Sequence, residues 1–332
     1  MKQFRRPQSL FATVFLAFAM IGGASAADAA HEPWRGVKLV VFLGDSITYS
    51  GGYIEFVEAY LRTRYPAKQI ELLNIGLPSE TTSGLSEPGH AGGNFPRPDV
   101  HERLRRVLEK TKPDLVVACY GMNDGIYYPL GEERFAKYRE GITRLRERCA
   151  AAGAKVLHVT PPTFDPVPIK AKTLPAGLPE YRQPYEGYND VLDRYSEWLL
   201  AQRKSGWEVV DLHGPMNLYL AEHRKADPKF ILAGDGVHMN ATGHWLAAKQ
   251  ILLHVGAQDV ASAADADAML AAHPNGKKIL TLVQQKQRVL KDAWLTETKH
   301  LRPGMKTGLP FAEAQAKAAE LEKQIRELAA QH

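Results

Sequence analysis

Ser46 closes the apolar run "VVFLGDS", directly after Gly44 and Asp45. A serine hydroxyl is a poor nucleophile until a base takes its proton, so its chemistry depends on a histidine elsewhere in the chain. The stretch "LAGDGVHMNATGHWLAA" (232–248) supplies His238, three residues after Asp235 in a glycine-containing turn. A carboxylate that close can bond one ring nitrogen and fix the tautomer, which leaves the other nitrogen to accept the serine proton. Each residue also has a plainer reading. Ser46 can start a helix that Asp45 caps, Asp235 can cap a turn, and His238 can be an ordinary surface histidine.

Attack on an acyl group also builds an oxyanion, and donors aimed at it are usually the largest catalytic contribution. "NIGLPS" places Gly76 just beyond an apolar run, where its N–H can face a site without a side chain in the way. "YGMNDG" places Asn123 beyond another, with a side-chain amide as donor. Singly, a Gly or Asn in such a place is a turn former. Together the four features end neighbouring elements, and their chemical types complement one another.

Those elements have a regular order. The apolar runs "VKLVVFLG", "QIELLNIG", "PDLVVACYG", "AKVLHVTPP" and "WEVVDLHG" alternate with helical stretches between residues 36 and about 255. Ile54, Val57 and Leu61 recur at helical spacing in one stretch. Tyr185, Tyr188, Leu192, Tyr195 and Leu199 do so in another. Near-continuous apolar strands alternating with helices predict a parallel sheet covered on both faces. Chemistry in such sheets gathers beyond the carboxyl ends of the strands, where Ser46, Asn74 to Gly76 and Tyr120 to Asp124 fall. The long connections 84–98 and 161–184, the second with seven prolines, follow strands on that side and are expected to form substrate-binding rims.

This set of blocks resembles the SGNH, or GDSL-type, hydrolase superfamily of serine esterases and acylhydrolases. The resemblance covers residues 36–255 and rests on Gly44-Asp45-Ser46, Gly76, Asn123 and Asp235-x-x-His238, in that order. It implies an α/β fold, a three-layer α/β/α sandwich around a mostly parallel five-stranded sheet of flavodoxin-like order. It also implies Ser46 as nucleophile, Asp235 and His238 as its acid and base, and the Ser46 N–H, Gly76 N–H and Asn123 amide as oxyanion donors. Ile47 stands where the family name has leucine, an apolar exchange behind the nucleophile. Asp45 and Asp124 are expected to hold their loops. No Gly-x-Ser-x-Gly occurs, which excludes the α/β-hydrolase nucleophile elbow.

Two other classes could use some of the same residues. A metal hydrolase would use Asp235, His238 and His244, but the six-residue histidine separation lacks the His-x-x-x-His geometry; no metal or cofactor is expected. A non-catalytic carbohydrate-binding module would use Tyr49, Tyr53, Phe95, Tyr127, Tyr128 and Trp245, and would have no need of the serine, histidine and acid. The expected substrate is a small-molecule or polysaccharide ester. The polar, aromatic-studded rims favour O-deacetylation of a carbohydrate, with lipase, lysophospholipase or thioesterase activity as the alternative.

The ends of the chain differ from its middle. Lys2, Arg5 and Arg6, the run "LFATVFLAFAMIGG" and Ala24-Ser25-Ala26 form the pattern of a secretory signal peptide over residues 1–26. Periplasmic or secreted location is expected, with no stable membrane span after cleavage. Cleavage would remove three positive charges and no acidic ones, taking the formal charge from +5 to about +2. That imbalance is too weak to indicate nucleic acid. Cys119 and Cys149 are expected as two separate buried thiols. Residues 256–332 read as a helical extension in which Phe311, Ala314, Ala318, Leu321, Ile325 and Leu328 form a heptad-type seam. The seam suits packing on the chain's own domain, or a dimerisation or partner helix.

Overall fold

The computed structural model describes residues 34–331. The expected signal segment 1–26 therefore lies outside the described residues.

Five strands form one sheet: β1 (Leu39–Gly44), β2 (Glu71–Asn74), β3 (Leu115–Cys119), β4 (Lys155–Val159) and β5 (Glu208–Val210). Every pairing is parallel and the order is β2-β1-β3-β4-β5, as the alternating pattern predicts. Val40 to Leu43 and Leu115 to Cys119 are buried on both sides of the pleat, because helices cover both faces. The order reverses between β1 and β3, and a crevice opens at such a switch point.

The helices of the sandwich are α1 (Ser46–Ser50), α2 (Gly52–Arg64), α3 (Val100–Thr111), α4 (Glu132–Ala151), α5 (Tyr188–Ala201), α6 (His213–Ala226) and α7 (Ala241–His254). α2 packs on α7 and α3 on α4. Tyr188, Leu192, Tyr195 and Leu199 form the buried stripe of α5. Tyr185, expected on the same helix, precedes it: its N–H donates to the Tyr127 carbonyl at 2.9 Å, and Gly187 caps the helix that follows.

Three more helices follow: α8 (Ala266–Leu270), α9 (Gly276–Thr298) and α10 (Phe311–Ala329). α10 lies against α9, with Ala314, Ala318, Ile325 and Ala329 buried, so the seam is covered by the chain itself. Leu290, Leu295 and Ala318 belong to the same core as the sheet. Cys119 and Cys149 are both free and buried.

Candidate active site

β1 ends where Gly44 pairs with Cys119. A Cβ on Gly44 would stand 2.1 Å from the Thr48 hydroxyl oxygen and 2.7 Å from the Cys119 carbonyl, so only glycine lets the chain turn this tightly. Asp45 then caps α1: its Oδ1 accepts the Ile47 N–H at 2.9 Å. Ser46 is the first residue of α1, half-buried at its mouth. The capping reading thus holds for Asp45, which leaves the Ser46 hydroxyl beside it to be judged by its partners.

His238 reaches this turn from 192 residues away. Its Nε2 lies 2.8 Å from Ser46 Oγ, and its Nδ1 lies 2.6 Å from Asp235 Oδ2. The other oxygen of Asp235 accepts the backbone N–H of His238 at 2.7 Å and of Val237 at 3.0 Å. One carboxylate therefore both builds the turn and holds the ring. Burial pushes the Asp235 pKa up, but the His238 ring and the two N–H donors outweigh it and hold the acid below its ordinary range. An ionised Asp235 accepts from Nδ1–H, which leaves Nε2 unprotonated and facing the serine hydroxyl.

Asn123 follows β3 in a buried turn. Its Nδ2 donates to the Glu80 carbonyl at 3.3 Å. Its Oδ1 accepts from Arg97 Nη1 at 2.9 Å and from the Tyr127 hydroxyl at 3.2 Å. Arg97 is itself clamped: Nε and Nη2 donate to the two oxygens of Glu87, each at 2.7 Å. Its guanidinium also lies 5.3 Å from the centroid of the Tyr127 ring. Arginine has no acceptor, so this contact dictates which end of the Asn123 amide carries oxygen. Asp124, buried beside it, accepts Thr82 N–H at 2.7 Å and Ser83 N–H at 2.8 Å, so it ties the two loops together as expected.

Gly76 departs from expectation. Its N–H donates to Asn74 Oδ1 at 3.0 Å instead of standing ready for an oxyanion. A Cβ there would meet the Tyr49 backbone nitrogen at 2.4 Å, so the glycine lets the β2 loop press against α1. Asn74 completes that contact, with Nδ2 donating to the Thr48 carbonyl at 2.8 Å. Ser79 bears the loop's strain, with φ of 69°.

Beneath these loops lies a buried ion pair. Arg103 donates from Nε to Glu80 Oε1 at 2.6 Å and from Nη2 to Oε2 at 2.7 Å, and the Tyr120 hydroxyl adds 2.7 Å to Oε2. His244, by contrast, is packed under α1: it is stacked on Tyr53 with its Nε2 3.2 Å from Ser50 Oγ, and burial pushes its pKa down to about 4. Among the described residues, no group of three or more His, Cys, Asp or Glu side chains could hold a metal ion.

Both long connections border one cleft of about 750 Å³. Glu87, Gly92 and Arg97 from the first connection, Tyr181 and Arg182 from the second, and Tyr127 and Tyr128 line it. Sequence reasoning missed Arg97 and Glu80, and placed Asn74 at its strand end without giving it a role. The first sits in a Gly/Pro-rich run whose path no local pattern reveals.

Residues 42–246 match the GDSL-like Lipase/Acylhydrolase family, a span that includes every residue of this site. Comparison with curated proteins finds no match. Among solved structures, the chain is similar to a gut microbial diltiazem-metabolizing enzyme at 22% identity and TM-score 0.52, over 68% of this chain and 48% of that one. The chain thus spans about half the length of that enzyme. It is also similar to Axe2, an acetylxylan esterase from Geobacillus stearothermophilus, at 20% identity and TM-score 0.48, over 66% of this chain and 94% of the other. At such identities a likeness speaks for the fold alone. The family match covers well over half of the chain: it belongs to the GDSL-like lipase/acylhydrolase family.

Proposed function

We propose that the chain is an exported serine esterase that works through an acyl-enzyme on Ser46 and removes O-acetyl groups from a carbohydrate. The observation that carries the chemistry is the unbroken line from Asp235 through His238 to Ser46, with contacts of 2.6 and 2.8 Å. Ser46 Oγ attacks the ester carbonyl carbon while its proton passes to His238 Nε2. The Asp235 carboxylate stabilises the imidazolium through Nδ1–H. The oxyanion is met by the Ser46 N–H and the Asn123 amide. Collapse expels the alcohol, which takes the proton from His238. A water then gives its proton to the same nitrogen, attacks the acyl carbon, and releases the acid and free Ser46.

The carbohydrate reading rests on the cleft. Tyr127, Tyr128 and Tyr181 line it beside Glu180, Arg182 and Gln183, a mixture of aromatic and polar side chains suited to a sugar. Purified protein assayed on acetylated xylan or pectin fragments and on p-nitrophenyl esters of increasing chain length tests it. Release of acetate from the polysaccharide is expected. Preference for acyl chains of eight carbons or more would sink it.

Export is supported by the basic start, the apolar run and Ala24-Ser25-Ala26. Among the described residues no helix is long and apolar enough to cross a membrane. Amino-terminal sequencing of the protein from a periplasmic or secreted fraction should begin near residue 27. An intact Met1 on the cell-associated protein would contradict export.

A further inference from the structure

Tyr49 stands three residues beyond Ser46, and α9 grips it at three points. Lys291 Nζ donates to the Tyr49 carbonyl at 3.0 Å and lies 3.8 Å from the centroid of its ring. The Tyr49 hydroxyl donates to Asp292 Oδ1 at 2.9 Å. The Tyr49 N–H in turn donates to the Asp45 carbonyl at 2.9 Å, across the turn that contains Ser46. A physical path therefore runs from α9 through one residue to the nucleophile turn.

α1 has five residues, and a helix that short has no stability of its own. Its place is set by whatever holds its ends. Asp45 holds the first and Asn74 grips Thr48. Lys291 and Asp292 hold Tyr49 from outside. α9 is well anchored for this purpose: Gln287 Nε2 donates to the β2 carbonyl of Leu72 at 2.8 Å and to Glu58 at 2.6 Å. Lys286 is buried against Glu58 and lies 2.7 Å from Glu322 of α10. Beyond α9 the chain also reaches the 84–98 connection, where the Arg302 guanidinium lies 5.1 Å from the centroid of the Phe95 ring.

We propose that Lys291 and Asp292 are positioning residues that brace α1 and set Ser46 Oγ against His238, which makes the C-terminal helices part of the catalytic apparatus. This rests on Ser46 being the nucleophile. A misplacement of about 1 Å at a reacting atom is enough to cost on the order of 100-fold in rate. A loosened α1 is therefore read in kcat, while the cleft and KM stay as they are.

The test compares full-chain variants on a short-acyl aryl ester, with thermal unfolding alongside. Asp292→Ala and Lys291→Met should each lower kcat about 10-fold with KM within about 2-fold. Tyr49→Phe, which removes only a hydroxyl, should match Asp292→Ala. Asp292→Asn keeps an acceptor oxygen for Tyr49 and should stay within about 2-fold of wild type. Ile279→Ala, in the separate apolar cluster with Val283, Ile325 and Ala329 at the far end of α9, should lower Tm and leave kcat unchanged. Unchanged kcat in Asp292→Ala, Tyr49→Phe and Lys291→Met would overturn the brace. So would an equal loss of kcat in Ile279→Ala, since that is a merely structural effect. Activity retained by Ser46→Ala in the same assay would instead overturn the nucleophile, and is distinguishable from either result.

Discussion

Arg97 Nη1 donates to Asn123 Oδ1 across 2.9 Å, and this contact orients the amide that is proposed to meet the oxyanion. Arg97→Met leaves the amide free to turn its oxygen toward the developing charge. One oxyanion donor is worth about 3–4 kcal/mol, so loss of part of that should lower kcat about 10- to 100-fold. Steady-state kinetics check this, and a rise in KM at constant kcat would instead mark Arg97 as a substrate contact.

Asp235→Asn should keep the turn but lose the tautomer. An Asn Oδ1 can still accept the Val237 and His238 N–H groups now held at 3.0 and 2.7 Å. The ring then lacks an anion to hold Nδ1–H, and kcat should fall on the order of 10³-fold or more at unchanged Tm. A loss below about 10-fold would show that Asp235 only shapes the turn.

Asp45 gives stability a pH dependence. Burial is the main cause that raises its pKa to about 7, against the lowering effect of the Ile47 N–H. The folded state therefore holds this proton more tightly than the unfolded chain does. Its contribution is complete below about pH 4 and is lost as the pH rises through about 7. Asp45→Asn stays neutral and keeps an oxygen for Ile47. Relative to wild type, this variant should gain stability on the order of a few kcal/mol between pH 4 and 8, measured by urea unfolding at each pH. A difference that does not change with pH would contradict the buried, titrating carboxyl.

Arg103→Met strands Glu80 in the core. Both side chains are buried, and removal of one partner of such a pair costs about 3–5 kcal/mol. Thermal unfolding should show a large loss in the single variant and substantial recovery in Arg103→Met/Glu80→Gln. Equal stability of the two would contradict an uncompensated charge as the cause.

The alternation of apolar runs with helical stretches was sufficient for the sheet, because burial on both faces leaves the pattern in each strand. The meeting of Ser46, Asp235 and His238 was legible because complementary side chains and a short Asp-to-His spacing mark it. Gly76 was not, since a missing side chain says nothing about the oxygen of Asn74 two residues before it. Arg97 and Asn123 lie 26 residues apart, and Tyr49 and Asp292 lie 243 apart. Such contacts depend on how a proline-rich loop and a distant helix return to the sheet, which no local period encodes.

The most direct measurement is covalent labelling of the full chain with a fluorophosphonate, followed by intact mass and peptide mapping. One adduct should form per chain, on Ser46, and both labelling and ester hydrolysis should vanish in Ser46→Ala. An adduct on another residue, or hydrolysis at near wild-type rate by Ser46→Ala, would contradict the acyl-enzyme account.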